Sequence, residues 1–241
     1  MDNGFTELGQ FPETPWTQVR QAVGEGTSAH ASLEAICRLY WAPIYAFLRK
    51  QGLARADAED VTQSFFVHLI EHATFQNADE AKGRLRSYLL GSLRNFHRNW
   101  LRAESAQKRG GLMHRVDFDA REVEAVFASG SNGLSADAIF ERRWAVSLLE
   151  NALKDLEVEQ VSAGRGAQFE VLSEFLLQRG KNARHAEAAE QLGMHEGTMR
   201  VTVHRLRKRF RELVRKHVAA TVGSEADVED ELRHLMSLYA S

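Results

Sequence analysis

After residue 43 the chain contains no proline, since Pro12, Pro15 and Pro43 all fall in its first fifth. Proline inside a helix removes a hydrogen bond and clashes with the preceding turn, so its absence leaves long helices open to the chain. The later residues are rich in Ala, Leu, Glu, Arg and Gln, which are good helix formers. There is no alternating β-branched run, and apolar residues recur at three- and four-residue steps. The expectation is an all-α fold.

Leu33, Ile36, Leu39, Tyr40, Ile44, Phe47 and Leu48 mark helical structure over residues 17–50, read as two helices with Pro43 near a start or a kink. The next helix is expected to start at Asp57 as N-cap, with Glu59 and Asp60 in its first turn and a stripe of Val61, Phe65 and Leu69 widened by Phe66 and Ile70. A loop over 73–82 precedes a long helix, 84–102, with Leu85, Leu89, Leu93 and Phe96 inside. Gly110-Gly111 then breaks the pattern, and Ser129-Gly130-Ser131-Asn132-Gly133 is turn and linker chemistry. Periodicity returns near Ile139, with Phe140, Trp144, Leu148, Leu149, Ala152, Leu153 and Leu156 on one face. Gly164-Arg165-Gly166 interrupts it before Phe169, Leu172, Phe175 and Leu176 form another face. The chain therefore divides into two small helical domains, 17–110 and 139–222. A flexible acidic linker, 111–138, joins them, and an acidic C-terminal tail, 223–241, follows.

The sequence also excludes several classes of function. Cys37 stands alone, so no internal disulfide and no cysteine-rich metal site can form. No run of about eighteen apolar residues provides a membrane span, and the start, MDNGFTELGQFPETPW, is not a secretory signal. A cytoplasmic protein without membrane attachment is expected. There is no HExxH, no phosphate-binding loop and no GxSxG, so no catalytic residue, metal or cofactor is assigned and no enzyme is expected. His68, Glu71 and His72 spell HLIEH, which is not the metalloprotease order and fits a solvated helix face.

The net charge is only −2, but it is unevenly distributed. The windows 82–115 and 181–217 carry +8 and +6, leaving −16 elsewhere. Such a run is often no more than a solvated face; two of them in an acidic chain point to two contacts with a polyanion. In the second window Ala186, Ala189 and Leu192 suit a first packed helix, Gly193 a tight turn, and Glu196-Gly197-Thr198 the start of a second helix. Met199, Val203, Leu206, Phe210 and Leu213 form one apolar stripe on that second helix, so residues 185–211 read as a helix-turn-helix that binds duplex DNA. Thr198, in the first turn of the recognition helix, is one of the candidate DNA-binding residues. Arg200, Val201, His204 and Arg205 are candidates for base edges, and Arg207, Lys208 and Arg211 for phosphates. An ordinary helical hairpin with a cationic outer face shares the pattern, although the small residues and the glycine turn favour DNA.

The first window interleaves its cations with Tyr88, Phe96, His97 and Trp100, and adds Asn95 and Asn99. Aromatic rings stack on unstacked bases while cations follow the phosphates, so this composition suits single-stranded or distorted DNA. Tyr88 and Trp100 fit a bundle core equally well, and Phe96 fits it better than a DNA surface. The helix from Asp57 presents Asp57, Glu59, Asp60 and Gln63 beside Phe65-Phe66 as an exposed pair. Acids repel DNA, so this edge suits a protein partner, unless they only cap the helix.

Taken in order, these segments resemble bacterial RNA polymerase sigma factors of the extracytoplasmic-function type, over nearly the whole chain. YWAPIYAFLRKQG followed by DAEDVTQSFFVHLIE looks like the second sigma domain, with its acidic helix docking on core polymerase. The resemblance implies Asp57, Asp60, Gln63 and Phe66 for that contact. KGRLRSYLLGSLRNFHRNWLR is similar to the part that melts promoter DNA and reads the minus-ten element. It implies Arg84, Arg86, Tyr88, Arg94, Asn95, Arg98, Asn99, Trp100, Arg102, Lys108 and Arg109 there. AEAAEQLGMHEGTMRVTVHRLRKRFREL looks like the fourth sigma domain, which reads the minus-thirty-five element. The intact YW…P…Y…LR pattern, QKRGG, the PWTQV-like lead and the acidic tail are similar to a subgroup of the family.

His185 and Ala188 depart from the family's aromatic and isoleucine, which implies loose packing of the first helix. His195 replaces a Ser-type N-cap, at an expected cost of about 1 kcal/mol. Core RNA polymerase and promoter DNA are the implied partners, with an anti-sigma factor or other regulator beside them. Asp117, Asp119, Glu122 and Glu124 in the linker are expected to thread the polymerase's RNA path. The tail, with Arg233 as its only cation, is expected either to dock on the recognition helix or to bind a regulator. The alternative function is a stand-alone helix-turn-helix regulator with an N-terminal sensor or dimerisation domain.

Overall fold

The computed structural model describes residues 27–71, 84–106, 133–177, 182–222 and 224–240. These form eight helices and no strand: α1 (Thr27–Lys50), α2 (Arg55–Glu71), α3 (Leu85–Ala106), α4 (Ala136–Ser162), α5 (Gly166–Leu177), α6 (Asn182–Gln191), α7 (Glu196–Ala219) and α8 (Glu225–Ala240). The described residues are all-α, as the helical spacing of apolar residues led one to expect. Lys108, Arg109, the four linker acids and the PWTQV lead lie outside the described residues.

The described residues fall into two compact units. Unit one takes those up to Trp144 and those from Ala219 onward, and unit two is Ala145–Val218. The expected domain limits therefore shift. Phe140 and Trp144, expected in the second domain, belong to unit one, and so does the C-terminal segment expected as a separate tail.

In unit one, α1 supplies Tyr40, Ile44, Tyr45, Phe47 and Leu48 to the core, and Pro43 lies inside this single helix. Phe65 and Leu69 of α2, Leu85, Leu89 and Leu93 of α3, and Phe140 and Trp144 of α4 are also buried. Each such side chain contributes about 1.5–3 kcal/mol when fully buried. Val228 and Leu235 of α8 complete the layer. Helix α2 starts at Arg55, two residues before Asp57, so Asp57 lies in its first turn instead of capping it. Ile70 is 42% exposed and does not widen the stripe.

In unit two, Leu148, Ala152 and Leu156 of α4 are buried, as are Phe169, Leu172, Phe175 and Leu176 of α5 and Ala188 and Ala189 of α6. The whole expected stripe of α7, Met199, Val203, Leu206, Phe210 and Leu213, is buried too. Arg209 joins α7 to α4 through a two-pronged pair with Glu159, with Nη2 to Oε1 at 2.6 Å and Nε to Oε2 at 2.8 Å. That pairing raises the Arg209 pKa and lowers that of Glu159. Both groups are half exposed, so solvent screening leaves the pair little weight in stability.

Candidate nucleic-acid interfaces

The turn of the helix-turn-helix is a local consequence of Gly193. Its φ of +61° lies in the left-handed region, which a residue with a Cβ enters only with strain. In that conformation Gly193 N–H donates to Glu190 O at 3.0 Å and Met194 N–H to Ala189 O at 2.9 Å. These two bonds close the last carbonyls of α6 in a Schellman arrangement. The same pair of bonds ends α1 (Gly52 to Arg49, Leu53 to Leu48) and α4 (Gly164 to Val161, Arg165 to Gln160).

His195 then starts α7. Its Nδ1 accepts from Gly197 N–H at 3.1 Å, and its carbonyl accepts from Met199 N–H at 3.1 Å. The imidazole thus caps the helix as a serine oxygen would, and the expected loss of a cap is corrected. Ala188 is buried, and the His185 ring lies 4.8 Å from that of Phe175. The first helix is therefore packed through His185, although a groove of about 630 Å³ does open between α5 and α6, lined by Ala188, Leu192, Phe175 and Glu187 among others.

Thr198, Arg200, Val201, His204, Arg205, Lys208 and Arg211 are all exposed on α7, away from the buried stripe. Val201, an apolar residue 50% exposed, stands among the polar ones. Arg200 pairs with Glu196 one turn back at 2.6 Å. Arg207 differs from these. Its Nε and Nη2 donate to the Phe175 carbonyl at 3.0 and 2.7 Å, so its guanidinium closes the C-terminal end of α5 instead of facing outward.

On α3 the cations divide along the helix. Arg86 is only 4% exposed. It donates to Glu231 through Nε at 2.6 Å and Nη2 at 3.2 Å, pairs with Glu141 through Nη1, and lies 5.1 Å from the centre of the Trp144 ring. Burial alone would lower its pKa, but the hydrogen bonds and charge of Glu231, with those of Glu141, raise it. Arg84 is half-buried, with Nε 2.9 Å from Glu231. Arg94 is exposed and gripped by Asp137 at the start of α4. These three side chains are held by acids of their own chain. Arg98 and Arg102, farther along, are exposed.

Beside them Ser92, Asn95, Phe96, Asn99, Trp100 and Ala103 line an open groove of about 480 Å³, with His68 of α2 as its far wall. Phe96 is half-buried against Phe65 at 5.3 Å and His68 at 5.1 Å. Trp100 stacks on His97 at 6.2 Å with 16° between planes, and His97 is edge-on to Phe47 at 6.5 Å. Burial lowers the His97 pKa, which favours the neutral ring. Tyr88, half-buried, has its pKa raised by burial, opposed by a hydrogen bond with Ser92. The groove thus offers aromatic faces, two exposed amides and neighbouring cations, which is what holding an unstacked base requires. Ser92, Ala103 and His68 were not picked out from sequence for this role. A helical wheel places Ser92 and Ala103 on the face of Asn95 and Asn99, but nothing local places His68 there.

On α2, Asp57 and Asp60 are exposed and Gln63 is half-buried. Phe65 and Phe66 are both buried, Phe66 to 6%, so the expected exposed phenylalanine pair is corrected. Val67 and Ile70 are large apolar residues exposed on this helix. Comparison of the chain with protein-family models, with curated proteins and with solved structures gives no match.

Proposed function

We propose that this chain is a promoter-specificity subunit of bacterial RNA polymerase, of the extracytoplasmic-function sigma type. The groove on α3 carries the reading. Aromatic walls, Asn95 and Asn99, and the exposed Arg98 and Arg102 suit a base pulled from melted DNA and the phosphates beside it. The second support is α7, where Arg200, Val201, His204 and Arg205 stand exposed opposite a fully buried stripe, as reading a major groove demands. In this reading docking and melting fall to residues 17–110 in unit one, and unit two, Ala145–Val218, reads the upstream element. The edge of exposed Asp57 and Asp60 with half-buried Gln63 meets core polymerase, and Val67 and Ile70 extend it in place of Phe66. The chain then acts in the cytoplasm; among the described residues no helix is long and apolar enough to cross a membrane.

The test is capture of core RNA polymerase by the unmutated chain and by Asp60→Arg and Gln63→Ala. Binding by the parent and its loss in Asp60→Arg are expected. Trp100→Ala should keep polymerase binding but lose promoter opening, read by permanganate reactivity of unpaired thymines. A parent chain that forms no complex with core, and instead dimerises on a palindromic site, would replace this reading with a stand-alone regulator.

A further inference from the structure

Helix α8 carries a carboxylate at the centre of its packed face. Val228, Glu231 and Leu235 are buried at three- and four-residue steps, whereas Glu225, Asp227, Glu229 and Asp230 are exposed. An apolar side chain could fill the place of Glu231 without desolvating a charge, so packing alone does not account for it. Its oxygens occupy a fork of two arginines: Oε1 accepts from Arg86 Nε at 2.6 Å, and Oε2 lies 3.2 Å from Arg86 Nη2 and 2.9 Å from Arg84 Nε. Both arginines stand at the start of α3, where the helix dipole also favours an anion. The chain entering α8 is anchored at the same place, because Leu85 N–H donates to Thr221 O at 3.3 Å. A guanidinium fork with a second cation beside it fits phosphate as well as carboxylate.

We propose that Arg84 and Arg86 form a latent phosphodiester site at the head of α3, which α8 closes by placing Glu231 where a nucleic-acid phosphate would lie. The proposal rests on the promoter reading above and adds a control to it. The free chain holds the site shut, and release of α8 adds one phosphate contact to those of Arg98 and Arg102. Glu141 stays behind on α4 and keeps the Arg86 guanidinium oriented, while its other partner, His234 at 3.0 Å, leaves with α8. The tail thus regulates the melting helix of unit one, in place of the expected docking on the recognition helix.

The experiment titrates a fluorescent single-stranded oligonucleotide, across a salt series, with the full chain, a variant ending at Val222, and Glu231→Gln. The shortened chain should bind about tenfold more tightly at low salt, with a log–log salt slope steeper by about 0.7, one phosphate's worth. Glu231→Gln should fall between, and Arg84→Ala in the shortened chain should cancel the gain. A shortened chain that melts cooperatively but binds no better, with the same slope, overturns the latch. So does a shortened chain without a cooperative thermal transition, because α8 is then a fixed part of the core. Polymerase capture separates the two readings. Capture without the gain removes only the latch; the gain without capture keeps the latent site and removes the promoter reading.

Discussion

The two cationic helices spend their charge differently. On α7, Arg207 turns inward to the Phe175 carbonyl and the half-exposed Arg209 pairs with Glu159, while Arg205, Lys208 and Arg211 remain exposed beside His204. On α3 the division runs along the axis: Arg84, Arg86 and Arg94 are held by Glu231, Glu141 and Asp137, and the exposed Arg98 and Arg102 lie past the groove. Equal-looking basic windows therefore present unequal surfaces. A cation clamped by a carboxylate of its own chain, as Arg86 is by the buried Glu231, reaches a ligand only when that carboxylate moves away.

Arg86→Ala should test that distinction most severely. Removing one partner of a buried pair leaves the other desolvated, at a cost of about 3–5 kcal/mol. Here Glu231 would keep the half-buried Arg84. Urea denaturation should show the loss, and an effect below about 1 kcal/mol would mean the Arg86–Glu231 contact is not formed in solution. The α7 counterpart is milder. Arg207→Ala removes a charged donor from the Phe175 carbonyl and should cost about 1.5–3 kcal/mol, with the salt slope of DNA binding unchanged. A shallower slope would return Arg207 to the phosphate-binding set.

The sequence made the helices and their buried stripes legible because both depend on near neighbours. Leu85, Leu89 and Leu93, or Met199, Val203 and Leu206, declare their face within two turns, and the Gly193 turn needs only the residues around it. What was not legible lies far apart in the chain. Arg86 meets Glu231 across 145 positions and Glu141 across 55, and Arg209 meets Glu159 across 50. No window of charge can anticipate such pairs, so Arg84 and Arg86 read as DNA contacts and α8 as a tail. Phe66 misled for a related reason: it sits beside a stripe whose width is set by what packs against it. The candidate groove was half visible, through Asn95, Phe96, Asn99 and Trp100 on one helix, and its His68 wall was not.

A smaller difference between the units should appear only on acidification. His97 is buried beneath Trp100 with its Nε2 unpartnered, and burial lowers its pKa below the ordinary value near 6.5. The unfolded chain therefore takes up a proton before the folded one. The stability that neutral His97 provides is complete above about 6.5 and is lost as the pH falls through the lower folded value. His97→Phe should flatten that part of the pH–stability profile relative to the parent. Profiles that stay parallel from pH 7 to 5 would show that His97 is hydrated in solution.

The smallest effect on stability belongs to the outward cations of α7, and it sharpens the comparison because their effect on binding is not small. Arg205→Ala and Lys208→Ala remove exposed side chains on the face opposite the buried stripe, so each should change unfolding free energy by less than about 0.5 kcal/mol. If Lys208 meets a phosphate, its loss should weaken duplex binding evenly across sequences and reduce the salt slope by about 0.9. If Arg205 reads a base edge, its loss should instead relax preference at one position, by about 1–3 kcal/mol of discrimination. The two variants separate reading from gripping on a single helix. Identical behaviour in both would mean that the outer face of α7 is a uniform cationic surface with no division of labour along it.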